Sequence, residues 1–338
     1  GFDLEILELR HGLDSTPQYD PPVDRLTRFA WLVLGYNVLV ILWGAVVRAT
    51  GSGAGCGSHW PLCNGEIVPR AERLATVIEF SHRLTSGIAL LLVVALVVAV
   101  FRARPRGHAA RPAAAWAMGF MLGEAAVGAM LVLFELVADN RSMARGLFMA
   151  THLLNTFFLL GALTLTAHFA GGGRPPHLRG RGREVWLFGL ACGLVLLTSV
   201  SGSVAALGDT LFPSQSLGEA LAADLSTTGH ALIRLRVVHP FVAVATAAFL
   251  IWLAVSVRRA GAGSAARSRA VAVIGLALGQ TAFGVLNVLL LAPVWMQVGH
   301  LLLADAVWIG LVLFGAVRLA ETDARSAAPG LASSPVAA

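Results

Sequence analysis

Eight stretches of the chain are apolar nearly all round, each long enough to cross a hydrocarbon layer that takes about 20 helical residues. They run over residues 29–48, 76–101, 113–137, 146–169, 185–207, 230–256, 270–291 and 294–317. Backbone groups in lipid find no water to bond, so α-helices, which satisfy theirs internally, are the expected form. Arginine marks every second connection: Arg102, Arg104, Arg106 and Arg111; Arg174, Arg179, Arg181 and Arg183; Arg258, Arg259, Arg267 and Arg269. Arg10, Arg25 and Arg28 precede the first span, and Arg318 and Arg325 follow the last. Basic connections are retained in the cytoplasm. The pattern predicts an all-α integral membrane protein with N- and C-termini cytoplasmic and with loops 49–75 and 208–229 outside. Residues 1–28 read as a cytoplasmic leader, 171–184 as a cytoplasmic linker and 319–338 as a disordered tail.

The spans also repeat. Leu122-Gly123-Glu124 with Gly128 matches Leu278-Gly279-Gln280 with Gly284, 156 residues on. His82 matches His239 at 157, Gly44 matches Gly202 at 158, and His152-Leu153-Leu154 matches His300-Leu301-Leu302 at 148. Four crossings return a chain to its starting side, so a duplicated four-helix unit gives two pseudo-symmetric four-helix bundles in parallel orientation, residues 29–170 and 185–318. The glycines would let neighbouring helices approach closely.

Composition fits this reading. The 338 residues are 57% hydrophobic and 13% charged, with mean hydropathy +0.74, more apolar surface than a soluble domain can hide. The net charge of +6 comes from arginines in short loops, with no basic face or aromatic-basic platform, so nucleic acid is not an expected partner. A plasma membrane, or its mitochondrial equivalent, is the expected location.

Of ten histidines, His82, His152, His239 and His300 lie inside apolar spans, near the outer start of the even-numbered helices. Ionisable groups at that depth are costly and usually face a bundle interior with a partner or cofactor. One such histidine is most simply hydrogen-bonded to a neighbouring helix. Two equivalent pairs at one depth point instead to a tetrapyrrole in each half, since haem iron takes axial imidazoles and bundle cores hold such groups. Zinc would need companions that are not visible, and a proton relay would leave the duplication without a reason. His59, His168 and His230 carry weaker claims, and His11, His108 and His177 read as solvated.

The halves differ around these sites. Helix 2 reads Glu79-Phe80-Ser81-His82-Arg83, where helix 6 has Arg236-Val237-Val238-His239-Pro240. Glu79 and His82, three apart, share a helical face, so the carboxylate could relay protons beside a haem edge. The plainer reading is a Glu79–Arg83 salt bridge. The first outer loop carries Cys56 and Cys63, close enough in sequence to close a disulfide outside the cell, as a staple or a redox-active pair. Cys192 is a small buried side chain. Arg48, Arg83, Arg234 and Arg236 lie near the outer face, where they could meet haem propionates or lipid headgroups.

At these residues the chain resembles the haem A synthase family, over roughly residues 29–317. The resemblance rests on Arg48-Ala49-Thr50-Gly51-Ser52-Gly53 leading to Cys56, on Trp60-Pro61-Leu62-Cys63-Asn64-Gly65, on Glu79 to Arg83 and on the four helix histidines. It implies oxidation of a methyl group of haem O to the formyl group of haem A, by successive hydroxylations, for assembly of aa3-type oxidases. It further implies substrate haem on His82 and His152, Glu79 as catalytic carboxylate, haem B on His239 and His300, and a Cys56–Cys63 disulfide. Some members carry a second cysteine pair in the other outer loop; residues 208–229 have none. Implied partners are haem O, the protohaem farnesyltransferase that makes it, an electron-transfer protein, lipid and a further copy of the chain. The alternatives are a di-haem b-type electron-transfer subunit and a haem exporter or chaperone.

Overall fold

A computed structural model describes residues 24–70, 73–226 and 229–321. The expected leader up to residue 23 and the tail beyond 321, with Arg10, His11 and Arg325, lie outside the described residues. The helices are α1 (Arg25–Ala49), α2 (Leu74–Ala103), α3 (Ala110–Leu133), α4 (Met143–Ala170), α5 (Gly182–Leu211), α6 (Leu217–Leu225), α7 (Ala231–Arg236), α8 (Val238–Arg259), α9 (Ser264–Leu289) and α10 (Val294–Ala320). Among the described residues there is no β-strand, and eight spans are long and apolar enough to cross a membrane, α7 and α8 together making the sixth. The protein is a multi-pass, all-helical membrane protein.

Local chemistry sets the boundaries. Asp24 caps α1 by accepting the Thr27 amide at 2.7 Å, and Ser142 caps α4 by accepting that of Arg145 at 3.2 Å. The third span ends at Leu133, short of the expected 137, because Glu135 and Ala138 take positive φ and turn the chain. The seventh begins at Ser264 rather than 270, since the alanines and arginines of that segment sustain a helix beyond the apolar run. The sixth breaks at Val237. Pro240 has no N–H and its ring displaces the carbonyl four residues back, that of Arg236, the last residue of α7. The second outer loop is not irregular throughout: Ser216 and Glu219, three apart as in a capping box, start α6.

Helices α1 to α4 pack in sequence and close on themselves, α1 against α4. Helices α5, α8, α9 and α10 do the same, α10 against α5. The two rings meet along a seam where α4 touches α5 and α10, and α1 touches α10. The seam is apolar toward one end, with Trp308 of α10 donating its indole N–H to the Phe157 carbonyl of α4 at 2.6 Å. Gly161 makes room for that ring; a Cβ there would stand 3.3 Å from the indole nitrogen. At the arginine-rich ends, Arg104, just past the end of α2, ties Asp24 to the Ala170 carbonyl, both at 2.5 Å. In the other ring Arg318 bonds Glu184 and Glu321, and Arg181 pairs with Glu184.

Candidate functional site

Each of the four span histidines rests against a glycine of the preceding span. A Cβ built on Gly44 would lie 3.0 Å from His82 Cε1, on Gly202 2.9 Å from His239 Cε1, on Gly284 2.9 Å from His300 Cε1, and on Gly128 4.0 Å from His152 Cε1. The repeated glycines therefore do more than bring helices together: they seat the imidazoles. All four rings are half-buried. The rings of His239 and His300 face one another with centroids 6.3 Å apart and planes at 87°. A centroid spacing of this size leaves room for one metal between two imidazoles whose nitrogens would each lie about 2 Å from it. His82 lies within electrostatic reach of His152 and of Glu124.

The ring nitrogens of the four histidines are held differently. His239 Nδ1 contacts Ser201 Oγ at 3.1 Å. His152 Nδ1 meets Glu124 Oε2 at 2.9 Å. His300 Nε2 is 3.3 Å from the Gln280 amide nitrogen. The buried Nδ1 atoms of His82 and His300 have no protein partner, and neither does Gln280 Oε1; His152 Nδ1 has its ion-pair contact with Glu124 and no aligned hydrogen bond. Buried polar atoms left this way are expensive unless something else bonds them. Paired imidazoles, glycine seats and orphaned ring nitrogens fit a haem in each ring.

The first outer loop is clamped onto the start of α2. Gly55 packs so tightly there that a Cβ would collide with the Ala75 and Thr76 backbone, and its carbonyl accepts Thr76 Oγ1 at 2.8 Å. Cys56 and Cys63 are bonded, with Cα atoms 4.4 Å apart. Glu79, only 3% exposed, accepts the Cys56 amide on Oε2 at 2.8 Å and pairs through Oε1 with Arg83. Arg83 also donates to the His59 and Leu62 carbonyls at 2.6 and 2.7 Å. The plainer reading of Glu79 and Arg83, a salt bridge, is present, and it welds the cysteine loop to the histidine helix.

The remaining candidates are placed as follows. Arg48 donates to the Ala206 carbonyl, Thr210 Oγ1 and Gln297 Oε1, each at 2.8 Å, bridging α1 to α5 and α10. Arg236 pairs with Asp209 at 2.8 Å and Asp224 at 2.6 Å. Arg234 is exposed on α7. His230 caps α7, accepting the Leu232 amide at 3.2 Å, and His108 accepts the amide of Ala110 at the start of α3 at 3.2 Å.

Residues outside the sequence-level candidates also matter. Glu124, Asn155 and Thr156 form a network behind His152. Glu124 is visible in the sequence as a repeat position; its partnership with His152 is not. Asp305 of α10 is fully buried, and neither carboxylate oxygen has a partner among the described residues. Its signal in the sequence is plain, an acidic residue inside an apolar span.

Fold and site together define a polytopic helical membrane protein with paired histidines inside its spans. The chain belongs to the COX15-CtaA family, described as "Cytochrome oxidase assembly protein", which matches residues 27–312. A protein of Thermus thermophilus named protoheme IX farnesyltransferase is 48% identical over 305 residues, covering 90% of this chain and 50% of that relative. Proteins named heme A synthase from Bacillus cereus and Bacillus anthracis are each 42% identical over 97 residues, 29% of this chain and 31% of theirs. The chain spans half the length of the Thermus relative.

Proposed function

We propose that this chain oxidises the methyl group of haem O to the formyl group of haem A, serving assembly of an aa3-type oxidase. Two hydroxylations of the methyl carbon, each adding the oxygen of one water and releasing two protons and two electrons to an external electron-transfer protein, followed by loss of one water, yield the aldehyde. The observation that carries the reading is the duplicated set of intramembrane imidazoles, each seated on a glycine, in a chain of the oxidase-assembly family. His82 and His152 hold the substrate haem; His239 and His300 hold a resident haem B. The resident haem supplies one-electron redox chemistry, which organic side chains lack.

The rest falls to the protein. The four histidines fix each macrocycle within its ring of helices. Glu79 is the group placed to handle protons. Its carboxylate is bracketed by the Cys56 amide and Arg83, so taking up a proton means releasing one of those bonds and loosening the outer loop. Cys56 and Cys63 form a disulfide staple that holds the loop over α2. Arg234 is the candidate among the four arginines that is exposed; Arg48, Arg83 and Arg236 would have to surrender protein partners to meet a propionate. The arginine-bearing ends of the spans face the cytoplasm.

The Thermus relative's name raises prenyl transfer as a second reading. The family model matches residues 27–312 of this chain, and the chain covers 50% of that relative; we place prenyl transfer in the part of the relative that this chain does not cover. A farnesyltransferase joined to this half would deliver haem O without releasing it to the bilayer, and one acting separately would deliver it by contact.

The test is chromatographic identification of haem extracted from the purified protein. Haem O or haem A beside haem B is the expected result. Haem B alone would favour an electron-transfer subunit, transient substoichiometric haem an exporter or chaperone, and haem O made from haem B and farnesyl diphosphate the prenyl-transfer reading. Glu79→Gln should keep its haem and stop conversion.

A further inference from the structure

The two rings treat their α4 and α10 histidines differently, in a way the sequence repeat makes exact to compare. His152 Nδ1 lies 2.9 Å from Glu124 Oε2. The other carboxylate oxygen, Oε1, accepts Asn155 Nδ2 at 2.7 Å and Thr156 Oγ1 at 3.0 Å. Asn155 also donates to the Phe120 carbonyl at 2.8 Å, and it reaches its place over Gly123, where a Cβ would stand 2.6 Å from Asn155 Oδ1. The carboxylate is thus braced from behind, with its other oxygen against the imidazole. In the other ring the same repeat positions are Gln280, Leu303 and Ala304. An amide replaces the acid, and both bracing donors are gone. Gln280 turns its nitrogen toward His300 Nε2 at 3.3 Å, and its Oε1 has no partner.

We propose that Glu124 is a positioning residue that acts through His152 to hold iron in the N-terminal site at a lower reduction potential than iron in the C-terminal site. A histidine in close ion-pair contact with a carboxylate is a more basic ligand than one beside an amide. A stronger donor, with a negative charge one residue behind it, favours the more positive, oxidised iron. With Nδ1 engaged by Glu124, Nε2 is the nitrogen left for the metal. Gln280 carries no charge and leaves the C-terminal iron easier to reduce. Electrons withdrawn at the N-terminal site then run downhill to the C-terminal one, the direction needed if substrate is oxidised in the first ring. The inference rests on the reading that both histidine pairs bind haem.

The experiment is a spectroelectrochemical titration of the haem-loaded protein, with the N-terminal wave assigned as the one abolished by His152→Ala. Glu124→Gln should raise the N-terminal reduction equilibrium constant at least about tenfold, ~59 mV for one electron, and leave the C-terminal wave in place. Asn155→Leu, which keeps the carboxylate but removes its brace, should shift the same wave upward by less. Two bis-imidazole haems with N-terminal potentials within threefold of the parent in both variants would overturn the proposal. So would loss of the N-terminal haem in both, which would make Glu124 a structural brace. Absence of bis-imidazole haem from the parent protein would instead sink the functional reading beneath it.

Discussion

A single methyl group measures how closely each histidine is seated. Gly202→Ala would put a Cβ 2.9 Å from His239 Cε1, tighter than real contacts allow, so the ring must tilt or the helices part, at a cost of about 1–3 kcal/mol. The haem-to-protein ratio of the purified variant should fall, while Gly35→Ala, where nothing lies within 4 Å, should match the parent. The four histidines are legible in the sequence because an ionisable group inside an apolar run has few structural uses. Their glycines are legible as repeat positions, but not as seats, since nothing in a sequence says which ring faces which backbone. Glu124 is legible in the same partial way. Asn155, which braces it, carries no repeat signal, because its counterpart Leu303 has a different chemistry.

Individual elements owe their ends to polar residues that hydropathy ignores. Asp24 starts α1, and its hydrogen bonds to Thr27, helped by Arg104, hold its pKa at about 2, below the usual 3.8. A carboxyl depressed on folding stabilises above its ordinary pKa and loses that contribution as pH falls through the folded value. Asp24→Ala should therefore lower the thermal midpoint in detergent at pH 6, with the gap to the parent closing between about pH 4 and pH 2. The cap is worth about 1 kcal/mol at most, and less here because the side chain is 47% exposed and solvent-screened. The outer loop depends on one contact of another kind. Gly55→Ala drives a methyl into the backbone of α2, so the loop must lift, taking the Cys56 amide from Glu79. Thiol labelling after mild reduction should become faster, and conversion of haem O should drop with it. The spans themselves follow from apolar length to within a few residues. The break before His239 is also in the sequence, as Pro240, but it takes the chain geometry to put the break at Arg236–Val237.

For the whole molecule the seam between the rings is the decisive feature, and Arg48 crosses it. Its guanidinium donates to α5 and to α10 from α1, three bonds of the charged kind, each worth about 1.5–3 kcal/mol. Arg48→Ala should lower the unfolding midpoint more than any loop arginine substitution does. Arg48→Lys should recover only part, because an ammonium cannot span the three acceptors. Gln297 sits one turn before His300, and Gly44, which seats His82, one turn before Arg48, so the variant should also disturb haem spectra in both rings. By itself the sequence determined that this chain lives in a membrane, how many times it crosses and which imidazoles sit inside, because hydrophobic length, arginine bias and intramembrane histidines are local properties that lipid reads directly. Only the tertiary structure decided which nitrogen of each imidazole is held, that Glu79 and Arg83 secure the cysteine loop, and that Arg48 bridges the seam. Those are contacts between residues up to 249 apart in the chain, set by how eight helices fit side by side, and packing of that kind leaves no periodic trace along a single sequence.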